Sequence, residues 1–228
     1  KERGTMSHLW PVAACLILLV SFIIVEYRES YAIGVVLKGL ASACFVLLGF
    51  MGSRGAADAR FAGFIAAGLA AGAIADVLLS LRYVYKKRWT VFFTSGTIVF
   101  LVGHVFYSVG VWPRALAPFV FAGLGIAAAF FIIRWIFSQI GAQGALSVIG
   151  VLYICGVVIL NCLALSALIA RPSHQALMLL ASTLLFLASD IIHILNTFGG
   201  NPQFKRRVLN LTLYYFGQIL IALSLQLG

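Results

Sequence analysis

The sequence has little charge and lacks the short motifs of several common enzyme classes. Only 10% of its 228 residues are charged and only six are acidic, whereas 63% are hydrophobic. It contains no GxSxG, HExxH or CxxC stretch, and no cysteine neighbours a histidine. These absences argue against serine-hydrolase, zinc-peptidase and thiol chemistry. The cysteines all lie in apolar runs and are expected to be buried free thiols: Cys15, Cys44, Cys155 and Cys162.

Long apolar runs dominate the chain instead. Runs of about 20 residues, the length that crosses a bilayer, recur from end to end. A soluble domain could not bury so much apolar surface, so the sequence predicts an all-α polytopic membrane protein with eight transmembrane helices in one bundle. The opening KERGT, residues 1–5, is interpreted as a cloning remnant, and residues 6–228 as a single domain. The predicted spans are 8–25, 31–51, 61–81, 89–110, 115–133, 145–170, 175–198 and 208–227.

The basic residues are interpreted as topology signals, although the net charge is +10. Nine lysines and arginines follow odd-numbered spans, and four to six lie on the other side, depending on whether residues 1–5 are counted. The positive-inside bias places both termini outside, with the loops between spans 3 and 4 and between spans 7 and 8 in the cytoplasm. We expect a bacterial inner membrane, or an endoplasmic-reticulum-type membrane in a eukaryote.

Two carboxyl groups lie inside apolar spans. The other four acidic residues fall at the terminus, at a span end or in loops, which leaves Asp76 and Asp190. A carboxylate at membrane depth costs at least about 2.5 kcal/mol on insertion scales, so such residues face the bundle interior and often mark function. Both precede the cytoplasmic end of parallel spans, and we expect them to face each other at similar depth. The alternative is a structural aspartate paired with a lysine or capped by a tyrosine.

The surroundings of the two aspartates repeat. His104 follows Asp76 by 28 residues, Gln218 follows Asp190 by 28 residues, and each is preceded by glycine. Basic clusters also open spans 4 and 8. The repetition predicts that spans 3–4 and 7–8 are parallel hairpins related by a pseudo-twofold axis along the membrane normal.

Polar side chains from five spans are expected to converge on the two aspartates. Each alone would usually be a helix–helix hydrogen bond, but together they indicate a lined cavity. Two carboxyl groups in a low dielectric cannot both ionise cheaply, so such a pair supplies an acid and a base at neutral pH. The competing interpretation is a zinc site formed by His104, His193, Asp76 and Asp190.

Four patches follow one another in a characteristic order. They are ADVLL around Asp76, FxxGHxxY from Phe100 to Tyr107, SDIIHILNTF from Ser189 to Phe198, and YYFGQILIALS from Tyr214 to Ser224. With Lys38 in span 2, this order resembles the YhhN-like transmembrane lysoplasmalogenase family over nearly all eight spans. The sequence departs from the family pattern at Ala75, where glycine is usual, and at Gly39, where proline often follows the lysine. His193 matches no family signature.

The resemblance implies hydrolysis of the vinyl ether bond of lysoplasmalogens, with no metal, nucleotide or redox cofactor. The products would be a fatty aldehyde and glycerophosphoethanolamine or glycerophosphocholine. Asp76 and Asp190 would be the catalytic acid/base pair, in undetermined order. Apolar residues of spans 3 to 6 would hold the alkenyl chain. The expected substrate-binding residues are Lys38, His104, Tyr107, Tyr214, Tyr215, Gln218 and, more distantly, Asn196.

Several alternatives stay open from the sequence. A small proton-coupled transporter would also need intramembrane acids, with water paths to both faces. A lipid-binding scaffold would tolerate loss of both aspartates, and a metal-dependent intramembrane hydrolase would act on another lipid. Arg82, Lys86 and Arg206 would attract a lipid head group or act only as topology signals. Expected partners are a lysophospholipid substrate and membrane lipids, not nucleic acid, and the chain would be a monomer or homodimer.

Overall fold

Eight long α-helices make up nearly all of the computed structural model, which describes residues 9–140 and 144–227. These residues include no strand, so the predicted all-α class is confirmed. Residues 1–5, interpreted as a cloning remnant, lie outside the described part. The helices are α1 Leu9–Tyr27, α2 Tyr31–Ser53, α3 Ala59–Val84, α4 Trp89–Val111, α5 Pro118–Ile140, α6 Ala145–Ala170, α7 His174–Phe198 and α8 Phe204–Ser224.

Seven of the helices, α1 to α7, are long and apolar enough to cross a membrane. The predicted eighth span, α8, is not among them, because it opens with basic residues and carries polar side chains along its length. Asn210 and Gln218 are only 7% and 2% exposed. The polar side of α8 therefore faces protein rather than lipid. Polar groups of a membrane helix need such an environment because lipid offers them no hydrogen-bond partners.

Three helices extend at least three residues beyond the predicted spans at one end. α3 continues to Val84, α5 to Ile140, and α8 already begins at Phe204. Arg82, counted as a loop cation, therefore lies in the last turn of α3 and is only 1% exposed. Aromatic rings and a hydroxyl from neighbouring residues surround its guanidinium, so the cation can stay inside the protein.

Six helices form a closed ring in the order α2, α3, α4, α6, α7, α8, with α8 packed back on α2. α1 packs outside the ring on α2 and α8, and α5 packs outside it on α6 and α7. Small residues let α3 and α4 approach closely: a Cβ at Gly103 would lie 3.2 Å from the carbonyl oxygen of Gly68. This is the close packing that the glycine-rich sequence of α3 predicts.

The order of neighbours repeats between the two halves of the chain. α1–α2, α2–α3 and α3–α4 pack pairwise, as do α5–α6, α6–α7 and α7–α8, and α4 packs on α6 as α8 packs on α2. The predicted hairpins, α3–α4 and α7–α8, therefore occupy equivalent places in the two halves. The axis itself stays a prediction.

Hydrogen bonds among polar side chains connect the helix ends at the side of the bundle where the α2–α3 loop lies. Asp58 caps α3 by accepting from the Phe61 amide at 2.9 Å, and Arg114 donates to Asp58 at 3.1 Å and to Gln175 at 2.6 Å. The Phe61 amide and the Arg114 guanidinium hold the pKa of Asp58 below its ordinary value. The cysteines are free thiols, as expected, although only Cys15 is fully buried.

Candidate active site

Asp76, on α3, is the centre of a buried polar network. Lys38 Nζ lies 2.9 Å from Asp76 Oδ1. The Ser42 and Tyr214 hydroxyls donate to Asp76 Oδ2 at 2.7 and 2.8 Å. Lys38 and Asp76 are only 3% and 1% exposed. The pairing with a lysine and the tyrosine contact, which the sequence left as an alternative, are therefore both present at Asp76.

The network extends through α8 to α4. Gln218 Nε2 donates to the Tyr214 hydroxyl at 2.9 Å, and the Tyr107 hydroxyl donates to Gln218 Oε1 at 3.0 Å. Because Tyr214 gives its only proton to Asp76, the donors run in one direction, from Tyr107 through Gln218 and Tyr214 to Asp76. The Asp76 side chain thus only accepts hydrogen bonds from these neighbours, as the acceptor-only form of a carboxyl group does.

A second branch of the network runs through Tyr215. Its hydroxyl lies 3.0 Å from the Ser42 hydroxyl and 3.3 Å from the Lys38 carbonyl oxygen. Ser42 already donates to Asp76 and a carbonyl can only accept, so the single Tyr215 proton is shared between the Ser42 hydroxyl and the Lys38 carbonyl oxygen. Tyr215 thus fixes the serine that bonds the carboxylate, and it contacts no carboxyl group itself in the described residues.

Helical spacing explains why these side chains meet. Lys38 and Ser42 are four residues apart on α2, and Tyr214 and Gln218 are four apart on α8, so each pair shares one helix face. Gly68 on α3 leaves the space that the Tyr107 ring occupies, because a Cβ there would collide with that ring. The glycine-rich stretch of α3 therefore allows α4 and α8 to reach the buried carboxylate.

Asp190, on α7, has very different surroundings. Its side chain hydrogen-bonds that of Tyr153 on α6. Its Oδ2 atom is buried without a hydrogen-bond partner among the described residues, and no described cation forms an ion pair with it. Asn210 Nδ2 donates to the Ser189 hydroxyl at 2.7 Å and locks α7 to α8 beside it. Asp190 is thus a carboxyl group in mainly apolar surroundings with one hydroxyl partner.

Asp76 and Asp190 line the same cavity, whose empty space is about 1020 Å³ when the part that opens to the surroundings is included. Lys38, Tyr214 and His193 also line it, as does a large set of apolar side chains. The apolar part comes mainly from α3, α4, α5 and α6, where the sequence placed the alkenyl chain. It includes Leu79, Phe93, Phe100, Ile133, Ile136, Phe137, Ile149 and Ile154.

His104 borders a smaller cavity together with Asp190, Tyr153 and Gln218. Its Nδ1 lies 2.8 Å from the carbonyl oxygen of Phe100. A carbonyl can only accept, so Nδ1 carries the proton and Nε2 is an acceptor. Nε2 is buried without a partner among the described residues. Two buried acceptors, His104 Nε2 and Asp190 Oδ2, therefore line this small cavity.

Asn196 lies apart from the other predicted substrate-binding residues. Its Oδ1 accepts from the Gln203 amide at 2.7 Å and so closes the loop between α7 and α8. It lines a second cavity at the end of the bundle, with about 1170 Å³ of empty space when the part open to solvent is included. His193 and Arg207 line both large cavities and therefore lie where the two adjoin.

The zinc site considered from the sequence is not formed by its four candidate ligands. The described residues contain no group of three or more histidine, cysteine, aspartate or glutamate side chains placed to hold a metal ion. Asp76 is instead occupied by Lys38 and two hydroxyls, and His104 Nδ1 by a backbone carbonyl.

Sequence reasoning missed Ser42 and Tyr153, each of which bonds one of the two aspartates. Ser42 could have been found, since it lies one helical turn after the membrane lysine on the same face. Tyr153 is a single hydroxyl in an apolar run, and only the packing of α6 against α7 shows its role.

A family model described as the YhhN family matches residues 33–225, which is most of the chain. No curated protein and no solved structure matches it significantly.

Proposed function

The chain belongs to the YhhN family, which includes lysoplasmalogenase, and on this premise we propose that it is an integral-membrane lysoplasmalogenase. It would hydrolyse the vinyl ether bond of lysoplasmenylethanolamine or lysoplasmenylcholine. The products are a fatty aldehyde and glycerophosphoethanolamine or glycerophosphocholine. The observation that carries the proposal is the contrast between Asp76 and Asp190 on the wall of one cavity with a long apolar part.

Asp190 is assigned as the acid. Its apolar surroundings and its lack of a cationic partner in the described residues favour the neutral carboxyl group. A vinyl ether reacts by protonation of its β-carbon, so the acid must face the apolar part of the cavity where that carbon lies. Asp190 meets this requirement, whereas the Asp76 carboxylate already accepts from Lys38 and two hydroxyls.

Asp76 is assigned as the electrostatic partner. Protonation of the β-carbon leaves an oxocarbenium ion, and a fixed carboxylate in the same cavity stabilises that positive charge. Lys38 and the directed hydroxyls hold the Asp76 side chain in place before the substrate binds. The site then needs little reorganisation as charge develops.

The attacking water is assigned to the small cavity beside His104. Buried waters make about two to four hydrogen bonds; His104 Nε2 offers an acceptor there, and Asp190 offers a second once it has given up its proton. After donating its proton, Asp190 is a carboxylate and takes a proton from the water as the water oxygen bonds to the oxocarbenium carbon. The hemiacetal then transfers its hydroxyl proton to the glycerol oxygen, and the carbon–oxygen bond breaks. One water is consumed, and Asp190 returns to its starting form.

The location and the partners follow from the same proposal. The end of the bundle with the second cavity also holds most of the lysines and arginines, which supports a cytoplasmic orientation of that end. The membrane would be a bacterial inner membrane or one of endoplasmic-reticulum type. The partners would be a lysophospholipid substrate and membrane lipids.

The direct test is aldehyde release from a lysoplasmalogen by the purified protein and by D190N. Asparagine cannot donate a carboxyl proton, so turnover should fall by a factor of about 100 to 10,000 or more. Because Asp190 forms no ion pair in the described residues, D190N should keep its fold, checked by size-exclusion chromatography and thermal unfolding.

The matched control is D58N, which makes the same change at an exposed loop aspartate and should keep full activity. A chelator in the assay should leave turnover unchanged. D190N hydrolysing lysoplasmalogen at the wild-type rate would refute the assignment of the acid, and a wild-type protein that releases no aldehyde would refute the proposed function.

A further inference from the structure

We propose that the second cavity binds the phosphodiester of the substrate's head group through Arg82 and Arg207. This inference rests on the proposed function and adds to it the part of the substrate that is not chemically changed. The sequence left Arg82 as one of three cations that would attract a lipid head group or act only as topology signals, and it interpreted Arg207 only as a topology signal.

The position of the cavity fits this role. It lies at the ends of α1, α3 and α7 and the beginnings of α2, α4 and α8, and it adjoins the catalytic cavity at His193 and Arg207. A lysophospholipid with its alkenyl chain in the apolar part and its vinyl ether at Asp190 would direct its glycerol and phosphate past these two residues. The second cavity is therefore the space that the head group reaches.

Arg82 carries a charge that the described part of the protein does not neutralise. Its Nη2 atom donates to the Tyr83 hydroxyl at 2.9 Å, but Nε and Nη1 are buried without hydrogen-bond partners among the described residues. No described acid forms an ion pair with it. A buried cation without a counter-ion is costly, and a guanidinium matches phosphate through paired N–H groups. The cost would be offset when a phosphate binds.

Arg207 adds a second guanidinium at the boundary between the cavities. Its Nε and Nη2 atoms bond Glu26 at 3.2 and 2.9 Å, so this arginine is held in place and its charge is balanced. Two arginines with one carboxylate leave one positive charge at the inner wall. A phosphodiester carries one negative charge and would balance it.

The outer part of the cavity has the opposite sign. Glu29 lines the cavity and is exposed, so a carboxylate lies at the outer edge and the arginines lie deeper. A phosphoethanolamine or phosphocholine group places its phosphate next to the glycerol and its amine further out. The order of charges along the head group therefore matches the order along the cavity.

The alternative is a structural role in which aromatic rings alone hold Arg82. Its guanidinium carbon lies 4.8 Å from the Tyr83 ring centre, 5.1 Å from that of Phe93 and 5.9 Å from that of Trp89. Cation–π contacts of this kind stabilise a buried arginine. An experiment must therefore separate phosphate recognition from stability.

The experiment compares two substrates with the same vinyl ether: 1-alkenyl-glycerophosphoethanolamine and 1-alkenyl-glycerol, which lacks the phosphate. In R82M, kcat/KM for the phospholipid should fall about 10- to 100-fold, as expected for hydrogen bonds between charged groups. Its kcat/KM for alkenyl-glycerol should stay within about twofold of the wild-type value. R28Q, which removes an exposed arginine on the α1–α2 loop outside the cavity, should change neither value.

Inhibition distinguishes the two sources of phosphate. Glycerophosphoethanolamine should compete with the substrate in the wild type and lose most of this effect in R82M, whereas inorganic phosphate should inhibit weakly. Equal inhibition by both compounds would indicate a site for free phosphate and would overturn the head-group assignment.

An equal loss on both substrates would show that Arg82 supports catalysis or folding, and would overturn the proposal. If R82M does not remain folded, R82K takes its place, since it keeps the charge but not the paired N–H groups, and the same selective loss is expected. Failure of the wild type on both substrates would instead refute the proposed function.

Discussion

The buried pair of Lys38 and Asp76 gives the sharpest test of the network, because it predicts that two damaging substitutions partly cancel. K38M leaves a carboxylate without its ammonium partner, and D76N leaves an ammonium without its carboxylate. Breaking a buried ion pair from one side costs about 3–5 kcal/mol. Both side chains are almost fully inaccessible, at 4% and 1% exposure, so solvent cannot compensate.

The stability effect converts to a measurable shift in melting temperature. For a domain of this size, about 1 kcal/mol corresponds to about 2–4 °C, so each single substitution should lower Tm by about 6–20 °C. The double variant K38M/D76N has no charge left at this position, and its asparagine oxygen can still accept from Ser42 and Tyr214. Its Tm should therefore lie above that of either single variant, with a coupling free energy of about 2–3 kcal/mol.

The assay is thermal unfolding of the four purified proteins in one detergent, together with aldehyde release. D58N serves as the control, since its ion pair with Arg114 is 29–48% exposed and should contribute about 0–1 kcal/mol. All three variants of the buried pair should be nearly inactive, because D76N and the double variant lack the Asp76 carboxylate and K38M lacks the ammonium group that holds it in place. A double variant whose loss of stability equals the sum of the two single losses would contradict the reasoning.

Two further predictions concern the walls of the site. G68A should push the Tyr107 ring out of the network and lower the free energy of unfolding by about 1–3 kcal/mol. G63A, on the same helix, should leave it unchanged, because a Cβ added there meets nothing within 4 Å. Thermal unfolding of the two variants checks this difference. I136W should fill the apolar part of the cavity and shift the substrate preference towards shorter alkenyl chains. F131W, on an exposed face, should leave that preference unchanged. An unchanged preference in I136W would exclude this part of the cavity as the binding site of the chain.

Much of the fold could be predicted because it depends on composition and spacing. Apolar runs bounded by basic and glycine-containing breaks correspond to the eight helices, since membrane length and hydropathy decide them. The contact of Lys38 with an aspartate could also be predicted, because a single cation inside the membrane needs an anionic partner. The sequence did not indicate which of the two aspartates it would be, since that depends on which helices are neighbours in the ring.

The less predictable parts depend on helix ends and on packing between distant segments. Arg82 was placed in a loop because its neighbours are polar and basic, but aromatic rings around it let α3 continue past it. Asn196 lies on the same face of α7 as Asp190. The chain turns back shortly after Asn196, however, and its side chain accepts a hydrogen bond from the Gln203 amide in the α7–α8 loop. Periodicity identifies a shared face, but it does not show what that face meets.

The position of α5 outside the ring has a mechanical consequence. Only Gly125, Ala129 and Ile136 of this helix are described as buried, and a Cβ at Gly125 would come 2.8 Å from the Cα atom of Ile159 on α6. The helix is thus held tightly near its beginning, while its second half covers the apolar cavity. An outward swing of that half about Gly125 would connect the cavity with the acyl region of the bilayer, and it would break no hydrogen bond of the Asp76 network.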